Sequence, residues 1–119
     1  MQVRTRVLIA DDRSRSRKGL SALLSTSAQM EVVGEARNGV EAVALVEEIH
    51  PDVILMDARM PVMSGIEATR MIKDRWPEIK IIVLSMYRTY IEDAQQAGAD
   101  SFLEKGCPPQ DLLKAILDQ

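Results

Sequence analysis

Four stretches of this chain read as strands that end on a residue with chemistry to offer. Val53-Ile54-Leu55-Met56 leads into Asp57, and Pro61 forbids the extended run from going further. Arg6 to Ala10 leads into Asp11 and Asp12, Ile79 to Leu84 into Ser85, and Ser101 to Glu104 into Lys105. Three carboxylates gathered in one cleft repel each other, and at least one must hold its proton more tightly unless a cation arrives. A hard divalent ion, Mg²⁺ or Mn²⁺, relieves this: Mg²⁺ wants about six oxygens and takes only one or two protein carboxylates beside water and phosphate. Asp12, Asp57 and a loop carbonyl such as that of Arg59 supply three positions, with Asp11 close by. The open positions suit a phosphoryl group, whose oxygens Lys105 and the Ser85 hydroxyl are equipped to hold. With the cation engaged, Asp57 is able to act as a nucleophile and form an aspartyl-phosphate, a transfer that needs mostly positioning and charge neutralisation. Singly, each residue has an ordinary explanation as a helix cap, a surface lysine or a turn serine. Together, at four strand ends, they are specific.

The elements that must bring them together follow from periodicity. An apolar run without alternation, like the one before Asp57, reads as a strand buried on both faces. The first strand feeds a helix from about Ser14 to Ser25 with Leu20, Leu23 and Leu24 on one side; its first turn carries Arg13, Arg15, Arg17 and Lys18, most simply a solvated face. A second strand, Met30 to Ala36, alternates poorly and has the look of an edge strand. Asn38 and Glu41 have capping-box spacing before a helix lined by Ala42, Leu45, Val46 and Ile49, which His50-Pro51 stops. Ser64 and Glu67 repeat that spacing after the loop Ala58 to Met63, and Ala68, Ile72 and Trp76 mark the buried side of the helix that follows. A weakly apolar helix over Thr89–Ala97 ends at Gly98 and is expected to be the most mobile; Pro108 and Pro109 open a last one with Leu112, Leu113, Ile116 and Leu117 inward. Five strands alternating with five helices predict an α/β, flavodoxin-like, doubly wound (βα)5 sandwich with parallel strand order 2-1-3-4-5. The switch point then lies between strands 1 and 3, and Asp11, Asp12 and Asp57 converge there.

Composition agrees with one domain of 119 residues, 46% hydrophobic and only 3% aromatic, whose core is aliphatic. A net charge of −3 argues against binding of a nucleic-acid backbone by this chain alone, and a single cysteine excludes an internal disulfide framework. No run reaches membrane-spanning length, so a cytoplasmic setting is expected. His50, the only histidine, reads as loop punctuation and Cys107 as an incidental thiol.

The wording at the strand ends resembles the receiver domains of two-component response regulators over essentially the whole chain, Val7 to Leu117. The resemblance is carried by Leu8-Ile9-Ala10-Asp11-Asp12, Leu55-Met56-Asp57-Ala58-Arg59-Met60-Pro61, Gly65, Val83-Leu84-Ser85, Ala97-Gly98-Ala99 and Phe102-Leu103-Glu104-Lys105. Arg59-Met60-Pro61 and Leu84-Ser85-Met86 are most similar to regulators of the nitrate-response and quorum-sensing type, which usually continue into a C-terminal helix-turn-helix domain. The resemblance implies that Asp57 takes a phosphoryl group from a sensor histidine kinase, with Asp12 a direct Mg²⁺ ligand, Asp11 its acidic neighbour and Arg59 the backbone-carbonyl ligand. It implies that Ser85 and Phe102 are switch residues, that Lys105 holds the phosphate, and that phosphorylation brings a homodimer and changes the surface of the fourth helix, fifth strand and fifth helix, controlling transcription through a DNA-binding domain outside this chain. Such a domain catalyses its own phosphorylation and dephosphorylation rather than turning over a substrate. Two departures stand out: Ala58 is small and is expected to loosen the packing beside Asp57, and Gly106 stands where many members have proline, which argues against a cis Lys105–Gly106 bond. Other functions fit less well. An aspartate-nucleophile phosphatase needs Asp-x-Asp on the first strand, whereas Arg59 occupies the third position here, and a phosphate-independent association module has no use for Asp11, Asp12, Asp57, Ser85 and Lys105 together.

Overall fold

The uninterrupted apolar run before Asp57 demands cover on both sides, and the computed structural model of the protein, which describes residues 3–118, supplies it. Strands β1 (Thr5–Ala10), β2 (Met30–Ala36), β3 (Val53–Asp57), β4 (Lys80–Ser85) and β5 (Ser101–Glu104) alternate with helices α1 (Ser14–Leu24), α2 (Gly39–Ile49), α3 (Gly65–Arg75), α4 (Ile91–Ala97) and α5 (Pro109–Leu117). The strands form one parallel sheet in the order β2-β1-β3-β4-β5, so β1 and β3 are neighbours and β2 is an edge, as the sequence predicts.

Successive side chains of a strand point to opposite faces, and here they sort into two cores. Val7 and Ile9, Val53 and Leu55, and Ile82 and Leu84 pack with Leu24 of α1 and with Leu112 and Ile116 of α5. Their alternates Leu8, Ile54, Met56, Ile81 and Val83 pack with Ala42 and Val46 of α2, Ala68 and Ile72 of α3, and Ala94 of α4. Each fully buried Ile or Leu stabilises the fold by about 1.5–3 kcal/mol relative to an exposed one, so the apolar runs suffice to hold the strand ends in place.

The caps behave as their spacing requires. Asn38 and Ser64 accept the N–H groups of Glu41 and Glu67 at 2.9 and 3.1 Å. Glu41 does not reach back to Asn38; its carboxylate accepts the Arg37 N–H at 2.8 Å, one residue earlier. Two features differ from the sequence reading. The poor alternation of β2 comes from a bulge, since Val7 pairs with Val32 but Leu8 with Gly34, leaving Val33 as the extra residue. The helix expected from Thr89 begins as a single 3-10 turn, Arg88–Tyr90, before α4 proper. No side chain caps either start, and uncapped first turns tighten in this way. The face of α4 is as shallow as expected, with only Ala94 and Ala97 buried. No described helix is long and apolar enough to cross a membrane.

Candidate functional site

β1 ends in a turn where Asp11 is almost fully enclosed, 1% exposed. Its N–H donates to the Ala36 carbonyl at 3.0 Å, and Oδ1 accepts the Arg13 N–H at 2.9 Å. From the far edge of the sheet, Lys105 donates Nζ to Asp11 Oδ2 at 2.9 Å and stands 3.2 Å from Asp57 Oδ2. The lysine can reach because its own N–H extends the β4–β5 ladder, donating to the Ser85 carbonyl at 2.9 Å. Asp57 Oδ1 accepts the Arg59 N–H at 3.4 Å, a long bond. Carboxylate oxygens of Asp11, Asp12 and Asp57 all lie within 4.8 Å of one another, with Asp12 the exposed member.

Beside this cluster opens a cleft of about 760 Å³, lined by Asp12, Asp57, Arg59, Ser85, Tyr87 and Lys105 among others. The Ser85 hydroxyl accepts the Tyr87 N–H at 3.0 Å, which leaves its proton free to be donated. Phe102 is elsewhere: half-buried, paired across the sheet with Val83, it packs on the core beneath α2, α3 and α4. Burial pushes the Asp57 carboxyl above the usual carboxylate range, and the charge of Asp11 adds to that push against the opposing attraction of Lys105. Burial draws the Lys105 ammonium down, but its bond to Asp11 and the charges of Asp57 and Asp11 outweigh this and leave it above its ordinary value. A donor set of oxygens alone, with one carboxylate held uncomfortably in its charged form, fits a hard cation such as Mg²⁺ or Mn²⁺.

Three further contributors take their place in the tertiary structure. Gly65 brings α3 against the acceptor strand so closely that a Cβ there would lie 1.8 Å from the Asp57 carbonyl oxygen. Arg17, grouped with the solvated cations of α1, donates Nη1 to the Asp11 carbonyl at 2.8 Å and pairs through Nε with Glu35 at 3.2 Å. Met86 and Tyr87 expose apolar surface at the rim. Gly65 and Met86 belong to the wording that carries the family resemblance, and Tyr87 follows Ser85 closely enough to be expected beside the site; Arg17 was missed because its partner Glu35 lies on another element. Ala58, expected to loosen the packing, is itself buried, and its N–H donates to Leu84 at 3.0 Å. The Lys105–Gly106 bond is trans, and the chain turns there through Gly106 at φ +89°. Burial raises the Cys107 thiol above its ordinary value, which suits an unreactive group.

Comparison with known proteins agrees with this arrangement. Residues 7–117 match the response regulator receiver domain. Response regulator protein VraR of Staphylococcus aureus is 42% identical over 116 residues, covering 93% of this chain and 54% of that protein. Transcriptional regulatory protein LnrK of Bacillus subtilis is 35% identical over 114 residues, covering 94% of this chain and 52% of that protein. The chain thus spans about half the length of these curated relatives. A LuxR-family two-component response regulator from Aurantimonas sp. superposes with a TM-score of 0.90 at 32% identity, over 96% of this chain and 83% of that one. An acidic cluster at the switch point of a 2-1-3-4-5 sheet, and a family match from Val7 to Leu117, lead to one assignment: this chain belongs to the response regulator receiver domain family.

Proposed function

We propose that this chain is the phosphoacceptor switch of a two-component system, with Asp57 as the residue phosphorylated. The observation that carries the reading is the Lys105 ammonium 3.2 Å from Asp57 beside a three-carboxylate cluster that opens onto solvent. Asp57 attacks the phosphorus of a histidine kinase's phosphohistidine; the P–N bond breaks, its electron pair stays on the imidazole, and an acyl phosphate forms. A divalent cation, Mg²⁺ or Mn²⁺, supplies charge neutralisation when bound, held by Asp12, Asp57 and the Arg59 carbonyl, with Asp11 acting indirectly. Lys105 holds one phosphoryl oxygen and the Ser85 hydroxyl another. Drawing Ser85 inward shifts the loop of Met86–Tyr90, and Phe102 repacks on the opposite side of β5. The surface of α4, β5 and α5 then changes, favouring a homodimer.

In the longer protein that the relatives' length suggests, a DNA-binding unit after this one turns the change into transcriptional control, as the name of LnrK supports. This acidic chain contacts no nucleic acid itself, and the kinase, fed by ATP, places the reaction in the cytoplasm. A phosphatase reading gains nothing from the geometry, because the group two residues after Asp57 is a cation, Arg59. Beryllofluoride with Mg²⁺ is expected to shift the amide resonances of residues 85–105, and Asp57→Asn to abolish the response. An unchanged wild-type spectrum overturns the proposal.

A further inference from the structure

Of the four cations in the first stretch of α1, only Arg17 is withdrawn from solvent, its side chain 14% exposed. Cations there oppose the helix dipole, so something other than helix stability holds it. Its guanidinium makes two bonds of different kinds: Nη1 donates to the Asp11 carbonyl at 2.8 Å, and Nε meets Glu35 Oε1, on the edge strand β2, at 3.2 Å. Asp11 is already tied by its N–H to Ala36 and by its two carboxylate oxygens to Arg13 and Lys105. The carbonyl is its last polar group, and Arg17 takes it. Because a peptide unit is planar, fixing that oxygen fixes the amide that leads to Asp12.

We infer that Arg17, anchored by Glu35, is a positioning residue that orients the Asp11–Asp12 peptide and so aims the exposed Asp12 carboxylate at the cation site. The inference rests on the metal-dependent reading above and assigns to one side chain of α1 a part in metal affinity. A guanidinium acting only through its charge makes the opposite prediction: it repels a divalent cation, and its removal tightens binding. As a positioning group its removal weakens binding, and groups that orient metal ligands from behind typically change affinity by about 10–100-fold.

Calorimetric titration with MgCl₂ alone separates the two, with thermal unfolding in metal-free buffer run alongside on each variant. Arg17→Met is expected to bind Mg²⁺ about tenfold more weakly than the wild type. Arg17→Lys, which keeps the charge but cannot make both bonds, is expected to fall between them. Unchanged or tighter binding by a folded Arg17→Met variant overturns the inference. Should Arg17→Met fail to fold, Arg17→Lys decides, and wild-type affinity in that variant overturns it equally. A wild-type chain that takes up no Mg²⁺ removes the metal-dependent reading together with this inference, whereas a wild type that binds beside variants that bind as well removes the inference alone.

Discussion

Asp57 is enclosed to 8% exposure, and its charged form is the less comfortable one, chiefly because burial strips it of water. A carboxyl whose value is higher folded than unfolded weakens the fold as it ionises. That penalty is absent below the ordinary carboxylate range, grows as pH rises from there to the raised folded value, and is complete above it. Asp57→Asn is therefore expected to raise the metal-free Tm at pH 7. Calorimetry at descending pH checks the sign, since the advantage of the asparagine variant must shrink toward pH 3. An advantage that grows on acidification would contradict the assigned cause. Where these residues stand was legible in the sequence: Asp11, Asp12, Asp57, Ser85 and Lys105 each lie at the end of an expected strand. The shift on Asp57 was legible only as a requirement that some member of the cluster bear it, because burial is set by what packs around the cleft.

Among the elements, the loop joining β3 to α3 bears the most strain. Val62 sits at φ +69°, a region that a β-branched residue avoids, and its side chain is almost fully in solvent. The Pro61 carbonyl accepts the Met63 N–H at 2.7 Å across it, and the Met63 carbonyl accepts the Gly39 N–H at 2.9 Å, so α2 clamps the turn from outside. Val62→Gly relieves the strain without removing any packing, and after the entropy that glycine adds to the unfolded chain it is expected to stabilise the fold by about 1 kcal/mol. Urea denaturation measures this, and a loss of stability would show that the turn is not strained. The elements themselves followed from periodicity, and their starts at Asn38, Ser64 and Pro109 from capping chemistry. The β2 bulge and the 3-10 start before α4 did not, since a bulge belongs to a pair of strands and the tight turn to the absence of a cap.

At the scale of the whole molecule, the cluster exists only in the folded chain: Asp11 and the lysine that pairs with it are 94 residues apart. A cation bound there engages the native state alone, so Mg²⁺ at ten times its Kd is expected to add about 1.4 kcal/mol to unfolding stability. Asp12→Ala, a change at an exposed position, is expected to abolish the increment while leaving the metal-free stability within about 0.5 kcal/mol. Denaturation with and without MgCl₂ tests both, and a full increment in the variant would remove Asp12 from the ligand set. The sheet, its order and the residues delivered to one end of it could be read from residue spacing, because apolar periodicity and strand length are local properties that burial then enforces. How those groups are held came from folding alone: Lys105 shared between Asp11 and Asp57, Arg17 drawn from a charged helix face onto the Asp11 carbonyl, Gly65 pressed against Asp57. Hydrogen bonds and close contacts between distant segments depend on distances of tenths of an ångström, which packing sets and residue spacing along the chain does not encode.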